Sequence, residues 1–216
     1  MASRQVICGD GVAWAAAQTF GPEVAIVTSL PDHSELPLLG FDGWKAWFRE
    51  TAATLCRSGA GVVIFYQTDV KHQGAWVDKA HLVSCGADDA GAACLWHRIV
   101  CRVPAGQTTF GRPAYAHLLA FSRSLRLLPG QSSADVLPEL GEMPWARAMG
   151  AAACQSVTRF LLQHTPCRVV VDPFCGQGTM LAVANAAGLD AVGVELSAKR
   201  AAKARALELP LRGGVV

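Results

Sequence analysis

The run Asp172-Pro173-Phe174-Cys175-Gly176-Gln177-Gly178-Thr179 constrains this chain more than any other part of it. It follows a β-branched stretch, Arg168-Val169-Val170-Val171, and leads into Met180-Leu181-Ala182-Val183-Ala184-Asn185-Ala186-Ala187, a good helix former. Strand, acidic glycine-rich turn and helix in that order make the opening unit of a doubly wound α/β sheet. The glycines permit a tight turn and let a ligand approach main-chain N–H groups at a helix N-terminus. Gly188-Leu189 ends the helix, and Ala191-Val192-Gly193-Val194-Glu195 reads as a second strand finishing in a carboxylate. A carboxylate there suits the two hydroxyls of a ribose.

Dinucleotide enzymes place turns and acids in the same way, but two details separate this turn from theirs. Leu181 stands where the third glycine of G-x-G-x-x-G would lie, and Asp172 ends the strand where it can receive a ligand ammonium. A cationic amino acid attached to adenosine fits better than a pyrophosphate. The turn resembles motif I of class I S-adenosylmethionine-dependent methyltransferases, in the D-P-F-x-G-x-G-T form common among enzymes that act on nucleic-acid amino groups. A nicotinamide enzyme and a chance glycine turn are the rival readings.

The order of the parts extends the resemblance over nearly the whole chain. Gln5-Val6-Ile7-Cys8 is a short strand ending in Gly9-Asp10, and Val12 to Gln18 is a helical stretch. Glu23 to Thr28 and Gly61 to Tyr66 read as buried strands, with an amphipathic helix between them from Phe41 to Arg57, whose apolar positions include Trp44, Trp47, Phe48 and Leu55. Leu95 to Val103 and Ala114 to Phe121 look like an antiparallel pair, and a helix from about Trp145 to His164 precedes the motif I strand. This layout is similar to the permuted beta-group amino-methyltransferases, in which the cofactor loop comes last. The resemblance implies a Rossmann-like doubly wound α/β sheet of seven strands, with an antiparallel last strand and a circularly permuted motif order. One domain is expected over 1–216: a catalytic-loop half (1–121), a connection (122–144) rich in Ser, Pro and Gly, and a cofactor-loop half (145–216).

Composition narrows the remaining classes. Half of the 216 residues are hydrophobic, which suits a sheet covered on both faces. The sequence contains no apolar stretch of about 20 residues and no secretory leader, so neither a membrane span nor export is expected and a cytoplasmic location is. Eight cysteines with no C-x-x-C pair read as buried thiols in a reducing compartment, and no metal is expected. The net charge of +2 announces no global basic field, but Arg98, Arg102, Arg112, Arg123 and Arg126 form a local basic group.

The resemblance assigns the cofactor residues. Phe174, Cys175, Gly176, Gly178 and Thr179, with Pro173, would wrap the methionine part of S-adenosyl-L-methionine, with Asp172 near its ammonium and Glu195 on the ribose. Asp10 would accept from the adenine amino group, or else simply cap the helix that follows. Gly141 to Trp145 occupies the place of motif X, with Trp145 read as a core anchor. Cys175 has no expected nucleophilic role.

The acceptor side departs from the family. Related enzymes carry Asp, Asn or Ser, then Pro-Pro, then an aromatic residue; here the loop is Ser29-Leu30-Pro31-Asp32. Ser29 and Pro31 match. Leu30 replaces the first proline, and Asp32 stands where the stacking ring should be. Ser29 and the Leu30 carbonyl are the expected acceptors for a target amine, with Asp32 as base or further acceptor. Tyr66, Trp76, Trp96 and Phe110 are the candidate stacking rings. Tyr66 closes the next strand and Gln67 and Asp69 follow it; these three are expected to contact substrate, with Thr68, Lys71 and His72 in the same polar loop. His97, inside a strand, is read as structural.

The expected activity is methyl transfer to a nucleic-acid base, RNA slightly before DNA, because no separate recognition domain is visible and structured RNA can present a base itself. A protein partner could supply further recognition. Two alternatives are a methyltransferase for a small molecule or protein side chain, and a catalytically silent methyltransferase-like binding subunit. A deep pocket over Ser29 and Asp32 would favour a small molecule, and a basic groove reaching Arg98 and Arg102 a nucleic acid.

Overall fold

The computed structural model describes residues 2–209. A single long sheet carries β1 (Arg4–Cys8), β2 (Val24–Thr28), β3 (Val62–Gln67), β6 (Ala93–Cys101), β7 (Tyr115–Ser122), β8 (Val136–Leu137), β9 (Val169–Asp172) and β10 (Asp190–Glu195), while β4 (Val70–His72) and β5 (Ala75–Val77) form a separate hairpin. The spatial order of the long sheet is β1-β10-β9-β2-β3-β7-β6-β8. The central strand β9 pairs in parallel with β10 and β2, so the chain reaches the middle of its own sheet late, as the permuted order requires. β7 is antiparallel to both neighbours. Strands β2 and β3 are buried at every position, which their unbroken apolar runs reflect.

The sheet has eight strands rather than the expected seven. Val136 and Leu137, inside the expected connection, pair with Ile99 and Val100 and extend the edge by two residues. Helices α1 (Gly11–Ala16), α2 (Gly40–Arg57) and α3 (Lys79–Asp89) cover one face; α4 (Ala151–His164), α5 (Thr179–Ala186) and α6 (Ala198–Ala206) cover the other. In α2, Trp44, Phe48, Ala52 and Leu55 recur at three- and four-residue spacing and are fully buried. Helix α4 starts at Ala151, six residues after the expected Trp145, because Gly150 is extended (φ −66°, ψ 145°) and sits against Leu140.

Helix α3 and the β4–β5 hairpin were not expected. Gly86 hides the helix in the sequence, yet the fold needs it: a Cβ there would stand 2.3 Å from the Arg49 carbonyl of α2. The hairpin turns on Gln73 and Gly74, both at positive φ (49° and 83°), the backbone of a type I′ turn. Asn or Asp would have advertised it; Gln does not. Among the eight free cysteines, Cys56, Cys154, Cys167 and Cys175 are buried as expected, but Cys8 and Cys94 are exposed. No described helix is long and apolar enough to cross a membrane.

Candidate active site

Strands β1, β2, β3, β9 and β10 all point the same way, so their carboxyl ends gather along one edge of the sheet. Beyond that edge lies a cavity of about 850 Å³, within the range of small-molecule sites. The Ser29–Asp32 loop and the Asp172–Gly176 turn both open into it.

The turn after β9 is held by its own backbone. Cys175 N–H donates to Val194 O (3.0 Å) and Gly178 N–H to Cys175 O (2.8 Å). Gly176 has φ +57°, and a Cβ on it would stand 2.5 Å from Cζ2 of Trp145. Gly178 (φ +84°) packs against Ala204 and does not line the cavity; it shapes the loop from behind. Gly11 is a residue the sequence did not single out: a Cβ there would meet the Pro173 carbonyl at 1.9 Å. Only glycine lets α1 approach the turn so closely. Cys175 is buried, and desolvation pushes its thiol up, with the Asp172 and Glu195 carboxylates adding to the effect, so it is a poor nucleophile.

Asp172 accepts from the Thr28 hydroxyl (2.6 Å) and from Phe174 N–H (3.1 Å). Its carboxyl is nonetheless raised to about 7, because burial disfavours the charge more than these bonds restore it, and Glu195 adds repulsion. Glu195 accepts from Ser197 N–H through Oε1 (2.8 Å), with Arg200 3.8 Å from the same oxygen. Asp10 caps α1, accepting from Val12 and Ala13 N–H at 2.8 and 3.0 Å, and it also lines the cavity. The capping role is therefore met, through one carboxylate oxygen, Oδ1.

The residues suit an adenosyl amino acid. Thr179 and Trp145 line the cavity, and each holds a buried polar atom, Oγ1 and Nε1, without a hydrogen-bond partner, while Gly176 yields its Cβ space to the Trp145 ring in the cavity wall. Unpaired polar atoms on residues that wall a pocket of this size suit a polar ligand. Trp145, read from the sequence as a core anchor, thus belongs to the cavity wall, in a stretch of loop before α4.

On the acceptor side, Leu30 is buried against α2 and the Pro31 carbonyl accepts from Trp44 Nε1 (3.0 Å). Ser29 lines the cavity. Asp32 is clamped: Oδ1 lies 2.5 Å from Lys79 Nζ and Oδ2 3.0 Å from an Arg112 guanidinium nitrogen. The Lys79 side chain is only 4% exposed, and burial lowers its pKa, opposed by the Asp32 carboxylate. An ion pair therefore fills the place expected for a stacking ring. Lys79 belongs to α3, whose helix the sequence did not reveal.

Tyr66 lines the cavity, and burial raises its hydroxyl to about 12. Gln67 and Asp69 do not line it, since Gln67 follows Tyr66 on the strand and points to the opposite face. Of the other candidate rings, Phe110 is fully exposed, Trp76 is exposed on β5, and Trp96 packs on Phe160. His72 stacks flat on Phe41 at 3.7 Å. In the basic group, Arg98 is buried over the Trp96 ring (4.0 Å) and cannot serve a surface groove, whereas Arg102 and Arg112 line the cavity. Arg147 pairs with Glu35 (2.5 Å), bridging the loop before α4 to the segment between β2 and α2.

No family model and no curated protein matches the chain. Solved structures do. A protein of Thermus thermophilus provisionally described as a DNA modification methylase, in complex with S-adenosyl-L-methionine, superposes with a TM-score of 0.67 at 18% identity, over 94% of this chain and 92% of that one. The PvuII DNA methyltransferase, cytosine-N4-specific, gives 0.69 at 12% identity over 98% and 89%. M1.HpyAVI in its SAM complex gives 0.57 at 12% over 94% and 98%. The fold of this chain is the fold of these methyltransferases.

Proposed function

We propose that this chain transfers a methyl group from S-adenosyl-L-methionine to an amino nitrogen of a nucleic-acid base. The observation that carries the reading is the meeting of the Asp172–Gly176 turn and the Ser29–Asp32 loop in one cavity, at the ends of adjacent strands β9 and β2. A methyl donor and its acceptor must be held in line, and two loops from neighbouring strands are placed to hold one each. Bound S-adenosyl-L-methionine would supply a methyl group already activated for displacement.

The chain's own residues then have separable tasks. Gly176 lets the turn close on the Trp145 ring that walls the donor's place, Thr179 and Trp145 bring polar atoms that have no partner, and Glu195 takes the donor's ribose. Asp172 faces its ammonium. Ser29 and the Leu30 carbonyl accept from the target amine, which draws the nitrogen lone pair towards the donor. Tyr66, which among the rings expected from the sequence is the one that lines the cavity, supports the base. Asp32 has both oxygens engaged by cations, so it positions Lys79 and Arg112 rather than acting as a free base. The same engagement weakens the small-molecule alternative, which relied on Asp32 to greet a cationic acceptor. Arg102 and Arg112 supply positive charge at the cavity for a phosphate backbone.

DNA is the first acceptor to test, because the structurally similar proteins are named for DNA; RNA is the alternative. The experiment is incubation of the chain with methyl-labelled donor and single- or double-stranded DNA or RNA, followed by digestion to nucleosides. Label in an N-methylated adenine or cytosine supports the proposal. A chain that binds the donor yet labels neither nucleic acid overturns the acceptor assignment.

A further inference from the structure

Away from the cavity, three polar side chains converge where the β4–β5 hairpin joins the sheet. Asp69 immediately precedes β4 and Asp78 immediately follows β5, one step beyond the Val70–Val77 pair that begins the hairpin. Their carboxylates and the His117 imidazole present ligand atoms that all lie within 4.8 Å of one another. Asp69 is buried, its Oδ2 lying 3.0 Å from His117 Nε2 and its Oδ1 accepting from Lys79 N–H (2.9 Å). Asp78 accepts from His81 N–H (2.8 Å) and caps α3. Two like charges are thus held together at the hairpin's base.

Gln67 supplies an independent sign. It is wholly buried, and neither its carboxamide oxygen nor its nitrogen has a hydrogen-bond partner. Buried amides are nearly always paired, so this one calls for a ligand. It stands directly across from His117 in the β3–β7 register, and directly paired residues of an antiparallel ladder share a face. The orphaned carboxamide is therefore directed to the face that carries the imidazole.

We propose that Asp69, Asp78 and His117, with the Gln67 carboxamide oxygen as fourth donor, bind a divalent first-row transition-metal ion such as Zn²⁺. Two carboxylates, one imidazole and one amide oxygen form a mixed nitrogen–oxygen set of the kind that holds such ions. Two carboxylates also balance the ion's charge. His97 completes the arrangement: its Nε2 lies 2.9 Å from His117 Nδ1, so it can fix the imidazole with Nε2 free to coordinate. The ion clips both ends of the hairpin and the start of α3 to β7. The expectation of no metal rested on the lack of paired cysteines, a test for thiolate sites only. This proposal does not depend on the methyl-transfer reading.

The test uses the full chain, free of any affinity tag and stripped with a chelator, titrated with Co²⁺ and followed by visible absorption and thermal melting. One Co²⁺ per chain, displaced by Zn²⁺ and raising the melting temperature, is expected. Asp78→Asn keeps the helix cap and should weaken the ion by about tenfold or more. Gln67→Leu should also weaken it, while raising the melting temperature of the metal-free protein, because the unpaired amide is gone. No stoichiometric binding, or wild-type affinity in both variants, overturns the site.

Discussion

Thr28, at the end of β2, donates a 2.6 Å hydrogen bond to Asp172, at the end of β9. One buried contact thus joins the strand that leads to Ser29–Asp32 with the strand that leads to the Asp172–Gly176 turn. It also fixes a carboxyl that burial holds at about 7, against an ordinary value of 3.8.

That raised value makes a stability prediction. Between about pH 4 and pH 7 Asp172 is protonated in the folded chain and ionised in the unfolded one, so stability falls as pH rises through this window and stays lower above it. Asp172→Asn keeps the acceptor for Thr28 and removes the titration. The variant should match wild type near pH 4 and exceed it by on the order of 2–4 kcal/mol at pH 8. Urea unfolding at the two pH values measures this. A difference that does not change with pH contradicts it.

Lys79 and Asp32 are coupled partners in a poorly solvated place. Asp32→Ala leaves the lysine buried and unpaired, which should cost about 3 kcal/mol or more. Lys79→Met in the same background should return most of that loss. A double-mutant cycle by chemical unfolding reads the coupling; additive effects would dissolve the pair. Loss of turnover in Asp32→Ala alone would therefore not identify a catalytic base.

Gly176→Ala should damage the donor site from two directions. It forces an L residue to positive φ and drives a methyl group into the Trp145 ring. A stability loss of roughly 1–3 kcal/mol is expected, together with loss of donor affinity and a change in Trp145 fluorescence. Normal affinity in this variant would remove Gly176 from the cradle.

Glu195→Gln keeps an oxygen for Ser197 N–H but replaces the charge. Donor affinity should fall about tenfold to a hundredfold with little change in stability. Equal affinity would place the ribose elsewhere.

The half of the cavity proposed for the donor could be picked out of the sequence because its residues are contiguous. Asp172 to Thr179 is one contiguous turn whose glycines, acid and flanking strand can be read in order, and Glu195 lies one helix and one strand later. The acceptor half was only partly legible. Ser29 to Asp32 could be found, but not the fate of Asp32, because its partners Lys79 and Arg112 come from 47 and 80 residues away. Lys79 was hidden twice over, on a helix masked by Gly86 and following a hairpin whose Gln73-Gly74 turn lacks the usual signature. Gln67 and Asp69 were read as substrate contacts from their place after β3. Strand alternation sends Gln67 to the far face instead, across from His117 in the β3–β7 ladder. The eighth strand escaped notice because two residues, Val136 and Leu137, have no periodicity to read.

The most direct test of the account is calorimetric titration of the purified chain with S-adenosyl-L-methionine and with its demethylated product. The account predicts binding of both at about micromolar affinity, strengthening as pH rises from about 5.5 to 7.5 while Asp172 ionises to meet the ligand ammonium. Absence of binding to either ligand at every pH would contradict it, leaving a methyltransferase fold whose cavity serves another ligand.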